Sequence, residues 1–230
     1  MRALQRHQLL RLRDSAWLRL LAPTADLPAN LSAHPSACSA LTLWARHGHP
    51  VVVSRQVPGL PADTPLAAGL PAPLSLGRAR IALALRADEV LFVDAFPLAA
   101  EVLPTLAAPQ RPGWRALCAQ LDALEVPARV YGSHGWQQLT GLAYVRPGSD
   151  LDLLLPVSTP EQADAVVRLL AAAPAGLPRL DGELLWPDGA ALAWREWAAW
   201  RAGQVGALLV RRIDGVDLVE EWPCHSLQCA

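Results

Sequence analysis

Hydrophobic patterning divides the chain into two regimes. Up to about residue 110, short apolar runs are broken by prolines. Beyond that point, apolar positions recur with helical or strand periods between turn signals. Near the start, apolar residues from Leu9 to Leu21 are interleaved with arginines, which predicts an amphipathic helix. His49 to Gln56, HPVVVSRQ, is a β-branched run behind a proline and predicts a short strand. Val57 to Gly77 holds Pro58, Pro61, Pro65, Pro71 and Pro73, which predicts a loop. Arg78 to Val93 alternates and then turns strand-like, predicting one strand or two.

Ala108 to Trp114, APQRPGW, reads as a boundary. The expectation is a smaller α+β domain over residues 1–110 and a second domain over 111–230. Trp114 to Val126 predicts a helix with Leu117, Leu121 and Leu124 near one face, ended by Pro127. Ala128 to Tyr131 predicts a strand, His134 to Leu142 a short helix, and Asp150 to Val157 another strand. Thr159 to Ala173 has strong helix signals: Thr159 at the N-cap, Pro160 at the first position, Glu161 and Asp164 in the first turn. Leu177 to Trp186 and Ala190 to Trp200 predict strands joined by the Pro187-Asp188-Gly189 turn, and Gly206 to Glu220 a last hairpin. Together they predict a mixed sheet with helices packed on it.

The 230 residues suffice for one large or two small domains. The chain is 52% hydrophobic, yet no unbroken apolar run reaches the ~20 residues of a membrane span. Arg11, Arg13 and Arg19 break the first apolar stretch, unlike the clean core of a secretory signal, so the expected location is cytoplasmic. A net charge of −1 offers no field to attract nucleic acid or an anionic membrane, and neither is an expected partner. All 20 basic residues are arginine, so any phosphate grip must use guanidinium groups, backbone amides or metal. Cys38, Cys118, Cys224 and Cys229 form no paired ligand motif, which leaves a zinc site at the C-terminal CHSLQC without enough ligands.

The candidate chemistry lies in VYGSHGWQQLTGLAYVRPGSDLDLLLPV, Val130 to Val157. A strand running into Gly132-Ser133 and then a helix places backbone amides and a hydroxyl where an anion can bind. A plain helix cap by Ser133 is the alternative. Tyr131 stands where a serine-hydrolase elbow needs glycine, so Ser133 is not read as a nucleophile. Asp150 and Asp152 project from one face of a strand, with Leu151 and Leu153 on the other. Two adjacent carboxylates repel unless a cation lies between them, and Mg²⁺ suits carboxylate and phosphate oxygens. Asp181 and Glu183 share a face of a later strand, and either is a candidate third carboxylate; Glu196 is a more remote one. Arg55 and Arg195 are candidate phosphate ligands that read as easily as exposed or structurally paired, while Arg146, in the loop before the aspartates, reads as solvated. Trp136 and Tyr144 read either as base-stacking platforms or as core. Asp214-Gly215 reads as a hairpin turn rather than a second acidic motif.

Gly-Ser, helix, then Asp-x-Asp resembles the polymerase β-like nucleotidyltransferase fold. The fuller set is Tyr131-Gly132-Ser133, Trp136-Gln137, Leu139-Thr140-Gly141, Tyr144 and Ser149-Asp150-Leu151-Asp152. It resembles one branch, the malonate decarboxylase holo-acyl-carrier-protein synthases, also called phosphoribosyl-dephospho-CoA transferases. Arg6 to Leu12, Pro50 to Gln56 and Leu180 to Trp197 extend the resemblance over most of the chain; Gln8 stands where an acidic residue is expected. The resemblance implies a donor, 2′-(5″-triphosphoribosyl)-3′-dephospho-CoA, and an acceptor serine on the acyl-carrier protein of malonate decarboxylase. It also implies Mg²⁺, or Mn²⁺, held by Asp150 and Asp152. Catalytic roles fall to Asp150, Asp152, Asp181 and Glu183, and phosphate binding to Gly132, Ser133 and Arg55. The first domain would recognise donor or carrier. Two other readings are a nucleotidyltransferase with a different small-molecule or RNA acceptor, and a noncatalytic partner-binding domain.

Overall fold

The computed structural model of the chain describes residues 4–22, 35–59, 61 and 64–222. It divides into two compact units. The first comprises residues up to Phe96 with the short segments 139–144 and 213–215; the second comprises 97–138, 145–212 and residues from 216 onward. Each combines a sheet with helices, so the architecture is α+β with two domains.

In the first unit, β1 (Leu9–Leu12), β2 (Val51–Val53), β3 (Leu66–Pro71), β4 (Arg80–Leu85) and β5 (Val90–Asp94) form an antiparallel sheet in the order β4-β3-β2-β1-β5. Helices α1 (Asp14–Leu21) and α2 (Pro35–His47) pack together. Leu9, Leu10, Trp44, Val51 and Leu85 are fully buried.

Two expectations are corrected here. The predicted helix over Leu9 to Leu21 is a strand followed by a helix. Leu9 pairs with both Val52 and Asp94, so sheet pairing on two sides overrides the helical preference of leucine. The helix begins only at Asp14, after Arg13 in extended conformation. The predicted loop over Val57 to Gly77 contains β3. Pro65 precedes this strand and Pro71 is its last residue, so β3 lies between prolines without one in its interior.

In the second unit, β6 (Arg129–Tyr131), β7 (Leu151–Pro156), β8 (Leu180–Leu185), β9 (Ala191–Ala193), β10 (Leu208–Arg211) and β11 (Val216–Val219) form a sheet in the order β11-β10-β9-β8-β7-β6. β7 and β8 are parallel and the other pairings antiparallel. The helices are α3 (Arg111–Ala123), α4 (Gly132–Thr140), α5 (Pro160–Ala171) and α6 (Trp194–Arg201). Leu151, Leu153 and Leu155 are fully buried on one face of β7, in a core with Trp114, Leu117 and Leu121 of α3 and Val166 and Leu170 of α5. Thr159 caps α5 as predicted, its Oγ1 accepting from the Gln162 amide at 3.2 Å.

The division between units falls between Phe96 and Pro97, earlier than Ala108 to Trp114. Trp114 Nε1 donates to Ala99 O at 2.8 Å and the Val130 amide to Pro97 O at 3.0 Å, so residues 97–110 bond within the second unit. The strand predicted over Ala190 to Trp200 is β9 followed by α6. Buried Trp194 and Trp197 lie three residues apart, and Trp197 Nε1 donates to Asp164 Oδ1 of α5 at 2.8 Å, a helix-to-helix contact. Cys224 and Cys229 lie outside the described residues. Of the described cysteines, Cys38 is exposed and Cys118 buried. No described helix is long and apolar enough to cross a membrane.

Candidate active site

The site begins where three strand ends meet. Tyr131, the last residue of β6, pairs with Asp152 of β7; Asp152 in turn pairs with Asp181 of β8. Parallel pairing puts Asp152 and Asp181 side by side on one face of the sheet, opposite the leucine core. Asp150 immediately precedes β7 and falls on the same side by strand alternation. After Tyr131 the chain turns directly into α4. Gly132 has φ +61°, and a Cβ there would lie 1.8 Å from Asp152 Oδ2. Glycine is what lets the start of α4 approach the carboxylate so closely.

Asp152 is half-buried. Burial raises its carboxyl from the ordinary 3.8 to about 6, with the negative charges of Asp181 and then Asp150 adding to the shift. The cluster thus carries more negative charge than its surroundings neutralise. Arg179 compensates it partly: its Nη1 is 3.5 Å from Asp150 Oδ2 and its Nη2 3.9 Å from Asp181 Oδ2. Both contacts are long for charge-assisted hydrogen bonds. Asp181 also accepts from the Gly182 amide at 2.8 Å. Glu183, one turn of the pleat deeper, pairs with Leu154 in register and lies 3.9 Å from Arg211 Nη1. The geometry therefore groups Asp181, rather than Glu183, with the Asp150–Asp152 pair. Glu196 is engaged elsewhere, its carboxylate accepting from the Leu209 amide.

Three aspartates around an open strand end form a hard, oxygen-only donor set. Among the described residues, however, no group of three or more histidine, cysteine, aspartate or glutamate side chains is arranged to hold a metal ion by itself. Mg²⁺ fits such a partial set, because it keeps waters and completes its octahedron with substrate phosphate oxygens. Ser133 stands in the first turn of α4, half-buried, and its side chain has no hydrogen-bond partner among the described residues.

Beside Asp150 opens a cleft of about 480 Å³. Its lining includes Thr105, His134, Arg146, Ser149, Asp150 and Arg179. Ser149 Oγ accepts from the Arg146 amide at 3.0 Å, closing the Arg146-Pro147-Gly148-Ser149 turn and leaving the hydroxyl proton free for another acceptor.

Arg55 belongs to the first unit, where it is exposed and its Nε donates to Asp214 O at 3.4 Å. Tyr144, also in the first unit, is buried; its hydroxyl donates to Pro71 O at 2.7 Å, and burial pushes its ionisation well up. Trp136 is 6% exposed. Both rings thus follow the core alternative and leave little surface on which a base could stack. Arg195 donates to Leu180 O at 2.9 Å and lies over the Trp194 ring. Sequence reasoning passed over Arg179 and His134. Arg179 had a usable signal: it stands two residues before Asp181 at the same strand end. His134 had none, because its partner Thr105 is remote in sequence.

Comparison with known proteins accounts for nearly the whole chain. The family model for the phosphoribosyl-dephospho-CoA transferase MdcG C-terminal domain matches residues 97–222, and that for its N-terminal domain matches residues 5–96. These limits coincide with the division at Phe96 and Pro97. A phosphoribosyl-dephospho-CoA transferase from Xanthomonas campestris pv. campestris (strain 8004) is 37% identical over 219 residues, covering 93% of this chain and 96% of the relative. One from Bradyrhizobium diazoefficiens is 37% identical over 220 residues, covering 94% and 89%. One from Pseudomonas aeruginosa is 36% identical over 196 residues, covering 79% and 81%. No solved structure matches significantly. Matched across both units by the two domain families and along most of its length by these relatives, the chain belongs to the phosphoribosyl-dephospho-CoA transferase family.

Proposed function

We propose that the chain transfers the phosphoribosyl-dephospho-CoA group from 2′-(5″-triphosphoribosyl)-3′-dephospho-CoA to a serine of the malonate decarboxylase acyl-carrier protein in the cytoplasm. The observation that carries this reading is the register pairing of Asp152 with Asp181 beside the Gly132-Ser133 helix start. It supports a phosphoryl-transfer site of the nucleotidyltransferase kind. The finer identity of donor and acceptor follows the family resemblance.

In the proposed reaction the serine Oγ attacks the α-phosphorus. A new O–P bond forms, the bond from that phosphorus to the pyrophosphate oxygen breaks, and the serine proton passes to a base. The products are a phosphodiester on the carrier and free pyrophosphate. Asp150 and Asp152 would hold Mg²⁺ or Mn²⁺; when bound, the ion stabilises charge on the transferring phosphate and leaving group. The amides at the start of α4 and the Ser133 hydroxyl would hold phosphate oxygens. Asp181 is the third carboxylate on this reading, accepting the serine proton or completing the cation site. Arg179 would pass from Asp150 and Asp181 to phosphate as substrate arrives, since a cation between the aspartates displaces the need for it. Glu183 remains deeper and beside Arg211, a second choice for the base.

Asp150→Asn tests the arrangement. The variant should release pyrophosphate from the donor at roughly a hundredth to a thousandth of the wild-type rate, as expected when a transition-state charge stabiliser is removed. It should keep the wild-type unfolding transition within about 1 kcal/mol, because Asp150 stands outside the strand and the core. A folded Asp150→Asn protein with full activity would remove the cation site from the mechanism.

A further inference from the structure

The chemistry above leaves His134 of α4 unused. The residue is 2% exposed. Its Nδ1 lies 2.8 Å from Thr105 Oγ1. The Thr105 hydroxyl has a single proton and donates it to the Val102 carbonyl, 2.7 Å away, which can only accept. Thr105 therefore meets His134 with a lone pair, and Nδ1 must carry the hydrogen of that contact. In the neutral ring this leaves Nε2 as a bare acceptor. Burial lowers the imidazole below its ordinary pKa, which keeps the ring neutral at physiological pH. Nε2 is itself buried and has no hydrogen-bond partner among the described residues. An orphaned buried acceptor costs on the order of 1–3 kcal/mol, and native proteins keep few of them.

His134 lines the cleft beside Asp150. The side chains of Arg146 and Arg179 in that lining can only donate, and the Ser149 hydroxyl has a proton to give. They suit phosphate oxygens. Ionised phosphate oxygens bring no hydrogen to Nε2, whereas a hydroxyl does. We propose that His134 Nε2, held in its acceptor tautomer by Thr105 and covered in the ligand-free chain, is uncovered when substrate enters this cleft and receives a hydrogen bond from a substrate hydroxyl. The inference rests on the transfer reaction proposed above, in which both substrates offer such groups: the hydroxyls of the donor and the serine hydroxyl of the carrier. His134 is the binding group, and Thr105 is the positioning residue that fixes its tautomer.

Two variants test this. His134→Asn sets an amide near the Nδ1 position, keeps a partner for Thr105 and removes the acceptor at Nε2. His134→Gln reaches the Nε2 position and restores one. The Asn variant should lose about tenfold in one of two readouts, and the Gln variant should recover most of it. The first readout is donor affinity by calorimetry without carrier; a loss there assigns the hydroxyl to the donor. The second is kcat/KM for the carrier at saturating donor; a loss there alone assigns it to the serine. A folded Asn variant equal to wild type in both overturns the proposal while leaving the transfer reaction standing, as does a Gln variant no better than Asn. A wild-type chain that neither binds the donor nor modifies the carrier overturns the reaction, and the proposal falls with it. Should neither variant fold, the imidazole ¹⁵N spectrum of the wild-type protein decides. An unprotonated, pyridine-type Nε2 supports the assignment, and a protonated Nε2 overturns it.

Discussion

Asp152→Asn is expected to abolish transfer and, in the same molecule, to raise the stability of the ligand-free protein. Asp152 is lifted to about 6 by burial and by the neighbouring Asp181 and Asp150 charges. Above that pH its ionised form is less favourable in the folded chain than in the unfolded one, where the ordinary value of 3.8 holds. A raised carboxylate therefore subtracts from stability as pH climbs from about 4 to about 6, and the deficit is complete above that window. At 1.36 kcal/mol per pH unit, and discounted for partial solvation, the deficit is on the order of 2 kcal/mol. The neutral Asn variant should melt about 4–8 °C higher than wild type at neutral pH. Its advantage should shrink through the same window and vanish below it. Mg²⁺ should raise the melting temperature of wild type and not of the variant. In wild type the apparent Mg²⁺ affinity should fall as pH drops below about 6, where a proton competes for Asp152. Parallel thermal melts with and without Mg²⁺ between pH 4 and 8 measure all of this. An Asn variant less stable than wild type at neutral pH would show that the aspartate charge is compensated within the protein itself.

Gly182→Ala is expected to cost 4 kcal/mol or more, an estimate for a severe backbone clash in a packed sheet (~4–5 kcal/mol at the upper end for single substitutions). Gly182 has φ +133°, where other residues are strained. A Cβ there would lie 1.9 Å from Leu153 O and 2.6 Å from Leu153 N, backbone atoms of the paired strand β7. Nothing on that side can rotate away, so β7 and β8 would have to part, and Asp152 would separate from Asp181. Gly132→Ala makes the useful contrast. Its Cβ would meet the Asp152 carboxylate at 1.8 Å, a side chain that can swing aside. That variant should stay folded, at a cost of about 1–2 kcal/mol for the left-handed backbone, and lose transfer because its carboxylate is displaced. Urea denaturation and pyrophosphate release separate the two. Equal stability losses in both variants would contradict the distinction between backbone and side-chain obstruction.

Local signals gave the facing of strand residues and the starts of helices, and contacts remote in sequence decided the rest. The alternation in SDLDLLL showed which way Asp150 and Asp152 face, because a buried strand has a period of two wherever it pairs. Thr159-Pro160 marked a helix start because capping is settled within four residues. Leu9 to Leu12 was misread because nothing local tells a buried central strand from the apolar face of a helix; Val52 and Asp94 decide it from far along the chain. In AALAWREWAAW the tryptophans stand three apart, a helical spacing masked by the strand-like AALA before them, and the contact with Asp164 agrees with the helix. The choice between Asp181 and Glu183 likewise needed the register against Asp152, since both occupy the same face of β8. The His134 tautomer depends on a chain of two hydrogen bonds through Thr105 to Val102, which no spacing rule contains.

The central claim is a cation-dependent transfer to a carrier serine, and the intact mass of the carrier tests it most directly. The apo acyl-carrier subunit of malonate decarboxylase would be incubated with this protein, 2′-(5″-triphosphoribosyl)-3′-dephospho-CoA and Mg²⁺. The account predicts a mass gain equal to the phosphoribosyl-dephospho-CoA group, located on one serine and absent when EDTA is added. An unmodified carrier in the presence of folded, donor-bound protein would contradict the proposed acceptor, and a gain that persists in EDTA would contradict the metal.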